Sequence, residues 1–394
     1  MIYADNAATT PVSACAAKAV GECMQSTCGN PSSLHSAGQR AAQLLFEARQ
    51  IFANCLNCLP REIYFTSCGS ESDNQAIISA AAAGKKRNKT HIISTAVEHH
   101  AVLHTLEKLK AQGFDVQLLE PGTNGAVTAQ QVADAVRSDT CLVTVMYANN
   151  EIGTINPIAD IGAACREKGV PFHTDAVQAA GHIPIDVRAD NIDMLSLSAH
   201  KFYGPKGAGV LFARKGTALE SLIIGGAQES GKRAGTQNVP AIVGAAKAFK
   251  ESCEQMQTAA QHDTALRDML IEGLSRIPHS ALNGDRLDRL PGNVSFCFED
   301  VDGESLLLLL DEKGICASSG SACSSGSMKP SHVLLAVGRS RETAQGALRL
   351  SLGRYNTPQE TDIIIQTITQ TVDYLRSFSQ SWNDKLRGKK PFLL

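Results

Sequence analysis

The chain has 394 residues, 37 of them basic and 39 acidic, for a formal net charge of −2. That length exceeds one ordinary domain and allows a sizeable core, while the near-even charge gives no electrostatic argument for nucleic acid or a membrane surface as partner. Twelve irregularly spaced cysteines are too sparse for a disulfide scaffold, and with no charged-then-apolar leader or long apolar run a cytoplasmic protein with reduced thiols is expected.

Residues 1–14 are turn-rich, too short to fold alone, and expected to dock on another part of the chain. A polar loop, Gly29–His35, precedes a helical pattern in which Ala41, Leu44, Leu45, Ala48, Ile51 and Phe52 recur at three- and four-residue spacings. Ile63–Thr66 reads as a strand, and Ser67-Cys68-Gly69-Ser70-Glu71-Ser72 as a turn into the alanine-rich helix around Asn74–Ala83. Small residues and hydroxyls at a helix start can hold a phosphate, because the first N–H groups are unpaired and the helix dipole favours an anion. An ordinary N-cap has the same local sequence.

Strands are then expected at His91–Thr95, Val116–Leu119, Cys141–Met146 and Pro171–Asp175, with helices at Ala129–Arg137 and Ile158–Lys168 between them. This alternation argues a largely parallel sheet covered on both faces, an α/β fold. Ligands bind such sheets at the carboxyl ends of the strands. Asn150, Asp175 and Lys201 all fall at or just beyond such ends. Lys201 follows the apolar run Ile192–Leu197, in a loop pinned by Gly204, Pro205, Gly207 and Gly209 before the run Val210–Ala213. An amine so fixed suits covalent capture of an aldehyde cofactor; a solvated lysine in a turn is the plainer reading of the stretch taken alone.

Beyond about Ala248 the pattern changes. A long polar helix at about Phe249–Leu274 leads to strand Asn293–Glu299, helix Gly303–Lys313, and strands Ile315–Ala317 and Leu348–Ser351. A closing helix opens on the capping box Thr357-Pro358-Gln359-Glu360. The expected division is a large domain over 15–250, a smaller α+β domain from 1–14 and 251–378, and a mobile basic tail over 379–394.

A pyridoxal phosphate site needs a lysine, a carboxylate facing the ring nitrogen and a phosphate cradle. Lys201, Asp175 and the Gly69-Ser70 helix start fill these roles in a plausible chain order. Gln178 could reach the same cofactor, and His99 could stack on its ring or shuttle protons. Cys323 lies in a run of serine, glycine and alanine, 317–327, which offers no apolar pocket for a thiol. A thiolate on such a movable arm could attack a sulfur and carry it away. Cys55-Leu56-Asn57-Cys58 has metal-ligand spacing, but no second such pair accompanies it.

Several ordered stretches carry a resemblance: D-N-A-A-T-T (5–10), G-N-P-S-S-L-H (29–35), T-S-C-G-S-E-S (66–72), E-H-H-A-V (98–102) and A-N-N-E-I-G-T (148–154). H-T-D-A-V-Q (173–178), S-A-H-K-F-Y-G-P-K-G (198–207), R-A-G-T-Q-N (233–238), S-S-G-S-A-C-S-S-G-S (318–327) and L-R-L-S-L-G-R-Y (348–355) continue it. The chain resembles the cysteine desulfurases of the NifS/IscS type, within the class V, aspartate aminotransferase-like fold of pyridoxal phosphate-dependent transferases. The resemblance implies conversion of L-cysteine to L-alanine, with the sulfur passing to Cys323 as a persulfide. Lys201 would hold the cofactor covalently and Asp175 its ring nitrogen; Gln178 and Asn150 would contact its phenolic oxygen or the substrate. His99 would stack on the ring and assist proton transfer. Gly69, Ser70, Ser198 and His200 would hold the phosphate, with Thr236 reaching across from the second subunit of a homodimer. Arg349 would clamp the substrate carboxylate, and Asn30 is a further substrate-binding candidate. An iron–sulfur scaffold protein of the IscU/NifU type is the implied sulfur acceptor, which makes Cys323 the candidate for a transient cluster ligand. A selenocysteine lyase, or another lyase or aminotransferase using the same cofactor, is the alternative. Ser70 stands where threonine is common and keeps the hydroxyl. Ser230 stands where the family usually has arginine, which bears on anchoring near the subunit boundary rather than on the chemistry.

Overall fold

A computed structural model describes residues 1–320 and 330–394. Cys323 lies outside the described residues. Twelve strands are described: β1 (Ile2–Tyr3), β2 (Ile63–Thr66), β3 (His91–Thr95), β4 (Asp115–Leu119), β5 (Thr140–Thr144), β6 (Phe172–Asp175), β7 (Met194–Ser198), β8 (Gly209–Ala213), β9 (Ser280–Leu282), β10 (Asn293–Phe298), β11 (Ile315–Cys316) and β12 (Ala347–Ser351). Seven of them form one sheet in the order β2-β8-β7-β6-β5-β3-β4. All run parallel except β8, which is antiparallel to both its neighbours. The reversal follows from the short link after β7, since adjacent parallel strands need a longer crossover. It leaves the carboxyl ends of β2, β3, β5, β6 and β7 along one edge.

Burial explains the strand composition. Every residue of β3, β5, β6, β7 and β8 is buried, as expected of a sheet covered on both faces. One core layer, including Phe52, Phe172, Phe202 and Phe249, packs helices Ser36–Leu56 and Val239–Leu274 against the sheet. The other places Ala76, Ile77, Ala80 and Ala81 of helix Gly69–Lys85 against Leu142, Met194 and Leu211. Gly209 has no room for a side chain: a Cβ there would lie 2.4 Å from Thr66 Oγ1 and 2.6 Å from the Cys68 carbonyl. That close approach brings the start of helix Gly69–Lys85 beside the β7–β8 loop.

A second core gathers β10, β12, helix Gly303–Glu312, helix Pro358–Phe378 and Ala4. Here β9, β10 and β12 form an antiparallel sheet; the opening segment forms the separate parallel pair β1–β11 and meets β12 through a bridge from Asp5 to Ser351. Helix Val239–Leu274 spans 36 residues and contributes Phe249 to the first core and Leu266, Leu270 and Leu274 to the second. It starts ten residues before the expected Phe249, behind an Asn238 cap with proline in its first turn. Helix Ala14–Ser26 was not expected from the sequence. Among the described residues no helix is long and apolar enough to cross a membrane.

Residues 379–394 differ from the expected mobile tail. They form helix Gln380–Leu386 and turn back on the second core. Lys385 reaches two carboxylates, Glu299 (2.5 Å) and Asp300 (2.8 Å), and Glu299 also accepts the backbone N–H groups of Leu393 and Leu394. The Phe392 ring stacks on His279 at 3.6 Å between centroids. Charge alone suggested a solvated end, but the lysine stem is buried and its head is paired. Lys385→Ala leaves two acids without their cation and is expected to destabilise the fold by about 3 kcal/mol, read as a shift in the denaturant midpoint; an unchanged midpoint would mean the docking contributes nothing.

Candidate active site

The strand ends of the large sheet open into a cavity of about 430 Å³ lined by Gly69, Ser70, His99, Asn150, Asp175, Gln178, Ser198, His200, Lys201 and Arg349. Lys201 ends a short 3-10 turn directly after β7. Its ammonium donates to the carbonyl oxygens of Ala7 and Ala8, the latter at 2.8 Å. The opening segment is held over it by Thr10, which donates from its backbone N–H to the His200 carbonyl at 2.8 Å and accepts from Tyr203 N–H at 2.8 Å. Gln178 donates to the Ala7 carbonyl at 3.0 Å, so the same loop engages two of the expected site residues.

Asp175 closes β6 and accepts from Val177 N–H at 2.9 Å. Burial pushes its carboxyl up to about 6, against the pull of that N–H and of Lys201. His99 caps helix His100–Ala111 by accepting from Ala101 N–H at 3.1 Å. Burial, and then the Lys201 charge, hold its imidazole down to about 4, so it is neutral near pH 7. His200 is likewise lowered to about 4 by burial and by Lys201.

The phosphate cradle can be tested on the helix start. Cys68, at the N-cap of helix Gly69–Lys85, makes no side-chain cap, so the first N–H groups keep their capacity to bind an anion. A Cβ on Gly69 would lie 2.7 Å from Val177 Cγ2, so only glycine lets the helix start sit this close to the strand end. With Ser70, Ser198 and His200 beside it, this corner fits a phosphate, and Lys201 and Asp175 fit the aldehyde and the ring nitrogen of a phosphorylated pyridine cofactor.

Arg349 enters from β12. Its guanidinium donates to Asp5 at 3.1 Å and to the Asn150 carbonyl at 3.1 Å, and its buried Nε has no partner among the described residues. Three site acids were not singled out from sequence. Glu98 is fully buried, accepts from Thr95 Oγ1 and Met146 N–H, and is raised to about 8 mainly by burial. Glu151, bonded by the Ser331 hydroxyl, is raised to about 7, again mainly by burial. Asp73, from helix Gly69–Lys85, is the third. The signals for the first two were present beside recognised residues, in Glu98-His99 and Asn150-Glu151, but nothing local marks an acid as buried.

Those acids imply a pH response. A carboxyl raised in the folded state stabilises below its unfolded value, and that stability is lost as pH rises through the folded value. The low histidines act oppositely, below their ordinary value of 6.5. Above about pH 6.5 the acids therefore dominate. The cofactor-free protein is expected to lose at least about 3 kcal/mol between pH 6.5 and 8.5 from Glu98 and Glu151, measured by denaturant titration at each pH; rising stability over that interval would contradict the assignment.

Two expected residues are not brought to this cavity. Asn30 is exposed, and its side-chain oxygen accepts from Ser32 N–H at 2.9 Å. Thr236 is also exposed and outside the cavity. Glu229 and Ser230 adopt left-handed backbone conformations. With Ser230 lacking a cation, anchoring there falls to Glu229, which pairs with both Arg49 terminal nitrogens at 2.8 and 2.9 Å.

The sequence pattern of the aminotransferase class-V family matches residues 2–364. A protein called cysteine desulfurase IscS from Methanosarcina thermophila is 49% identical over 378 residues, covering 96% of this chain and 93% of its own. A cysteine desulfurase from Nostoc is 44% identical, covering 98% and 96%. Among solved structures, one titled a NifS-like protein superposes with a TM-score of 0.89 at 39% identity, covering 95% of this chain and 99% of its own. Another, titled SspA in complex with cysteine, gives 0.80 at 37% identity, covering 91% and 100%.

Proposed function

The chain belongs to the class-V aminotransferase family, and from that premise we infer that it is a pyridoxal 5′-phosphate-dependent cysteine desulfurase. The observation that carries this reading is the meeting of Lys201, Asp175 and the uncapped helix start at Gly69 in one cavity. Bound there, the cofactor supplies an aldehyde for capturing amines and a ring that draws electrons from the substrate's α-carbon.

The chain's own residues divide the remaining work. The helix start, Ser70, Ser198 and His200 hold the phosphate. Asp175 accepts the ring N–H, and an ionised carboxylate is the form that keeps that nitrogen protonated. Lys201 supplies the capturing amine. His99, neutral near pH 7, is the group beside it fit to accept a proton and return it. Arg349 binds the substrate carboxylate as a planar fork, with Asn150 and Gln178 beside the same substrate.

The thiolate of Cys323 then attacks the substrate's sulfur. The C–S bond breaks, its electron pair stays with the carbon, and that carbon takes up a proton and leaves as part of alanine. The sulfur remains on Cys323 as a persulfide, so no external oxidant is needed. We assign Thr236 to the phosphate of a partner subunit in a homodimer, and the onward acceptor to an iron–sulfur scaffold protein of the IscU/NifU type. That hand-over makes Cys323 the residue to watch as a transient cluster ligand. The described cysteines are all free thiols, which suits a reducing compartment such as the cytoplasm.

Incubation of the holoenzyme with L-cysteine, followed by mass spectrometry of its peptides, tests the reading. One extra sulfur is expected on the peptide carrying Cys323, with alanine released. Alanine formed at full rate by Cys323→Ala would instead favour a lyase that needs no acceptor thiol.

A further inference from the structure

A polar layer is buried beneath Asp175, where an all-apolar core would be expected. Thr144 on β5, His173 on β6 and Ser196 on β7 lie on adjacent strands, and all three are fully buried. His173 Nδ1 is 2.8 Å from Thr144 Oγ1, and its Nε2 is 3.0 Å from Ser196 Oγ. Asp73, from helix Gly69–Lys85, meets this layer and lines the cavity while being only 1% exposed. Among the described residues its buried Oδ1 has no hydrogen-bond partner, and it lies 3.7 Å from His173 Nε2.

The groups facing Asp73 are Asp175 and His173 from β6, Glu98 from the loop before helix His100–Ala111, Cys68 from its own helix start, and Ser196 from β7. The only basic side chain in that set is His173, and burial holds it down to about 3, neutral. An anion at Asp73 would thus stand unpaired beside a second carboxylate, which is costly in a buried site. A protonated acid at Asp73 removes that charge, so its buried, unpartnered Oδ1 has no anion to stabilise. Burial, and then the Asp175 charge, push Asp73 well above the usual carboxylate range, against the pull of a hydrogen bond from Ser196.

We propose that Asp73 is a positioning residue that stays protonated, so that it and Asp175 carry one negative charge between them, placed on Asp175. The inference rests on the cofactor reading above, in that Asp175 must face the ring nitrogen as an anion. Two buried carboxylates lining one cavity would otherwise share their ionisation, and neither would be the fixed partner that the nitrogen requires.

The test reads the proton directly. Infrared spectra of the cofactor-free wild-type protein, prepared with and without aspartate labelled by carbon-13 at its side-chain carboxyl, are compared at pH 8. That is above the titration of Asp175 and of Asp263, both near 6. The expected result is a protonated-carboxyl C=O band that shifts with the label; a label-sensitive difference confined to ionised carboxylate bands overturns the proposal. This measurement needs no variant and no bound cofactor. A second measurement uses Asp73→Asn, a neutral replacement for a neutral acid. The acidic limb of pyridoxal phosphate binding, set by Asp175, is expected to stay in place, while the label-sensitive C=O band disappears. An acidic limb moved to lower pH by a tenfold or greater rise in proton concentration would mean that an anion had been removed, and would overturn the assignment. Failure of the wild-type protein to bind the cofactor at any pH would instead strike at the cofactor reading, leaving the infrared result to stand or fall separately.

Discussion

Lys201→Ala is expected to lower alanine formation from L-cysteine by roughly 10³-fold or more, the range seen when a positioned reacting group is removed. Among the described residues that line the cavity, Lys201 is the one lysine. Its position is set by the turn after β7 and by the carbonyls of Ala7 and Ala8, so no neighbouring side chain can stand in for it. The check is a pair of measurements, visible absorbance on reconstitution and labelled alanine release. Lys201→Arg, which keeps a positive charge but not a capturing amine, is expected to be equally inactive. Activity within tenfold of wild type in either variant would remove the amine from the reaction.

Arg349→Ala is expected to act on stability and substrate binding together. The Arg349 side chain is 3% exposed and pairs with Asp5 at 3.1 Å. Removing the cation leaves a carboxylate and the Asn150 carbonyl facing a void, a loss of about 3–5 kcal/mol for a broken buried pair. Loss of the carboxylate fork should raise KM for L-cysteine by at least about tenfold, since charge-assisted bidentate bonds are among the strongest single contacts. Arg349→Lys restores the charge but not the fork, and is expected to recover more stability than affinity. Equal recovery of both would mean that the residue acts as a point charge rather than as a planar clamp.

The legible part of the site shares one property: its residues sit where local sequence changes type. Lys201, Asp175 and Gly69 each mark the end of an apolar run or the start of a helix, and strand–helix alternation alone places them on one edge. The buried acids were not legible for the complementary reason. Asp73, Glu98 and Glu151 are ordinary polar residues in their own segments, and become buried only when helices and loops close over strand ends. Helix Ala14–Ser26 escaped notice because its core-facing positions are small, Ala16 and Cys23, which leaves little periodic contrast. The early start of helix Val239–Leu274 had a visible cue in Asn238 and Pro240. Its first ten residues are so uniformly small or apolar, however, that no polar face defines a period. Lys385 illustrates a third case, since Glu299 and Asp300 lie too far back in the sequence for local charge counting to pair them with it.

Helix Val239–Leu274, about 54 Å long at the usual rise per residue, is clamped at one end by the aromatic layer under the large sheet and at the other by the antiparallel sheet. Such a rod acts as a girder between the two parts of the molecule. Asp175 and Lys201 belong to the sheet at one end of that girder and Arg349 to the sheet at the other, so their spacing is largely set before any amino acid arrives. A swing of one half against the other would have to flex an unbroken helix, making a preset jaw, rather than one that closes on its prey, the economical way for this fold to grip its substrate.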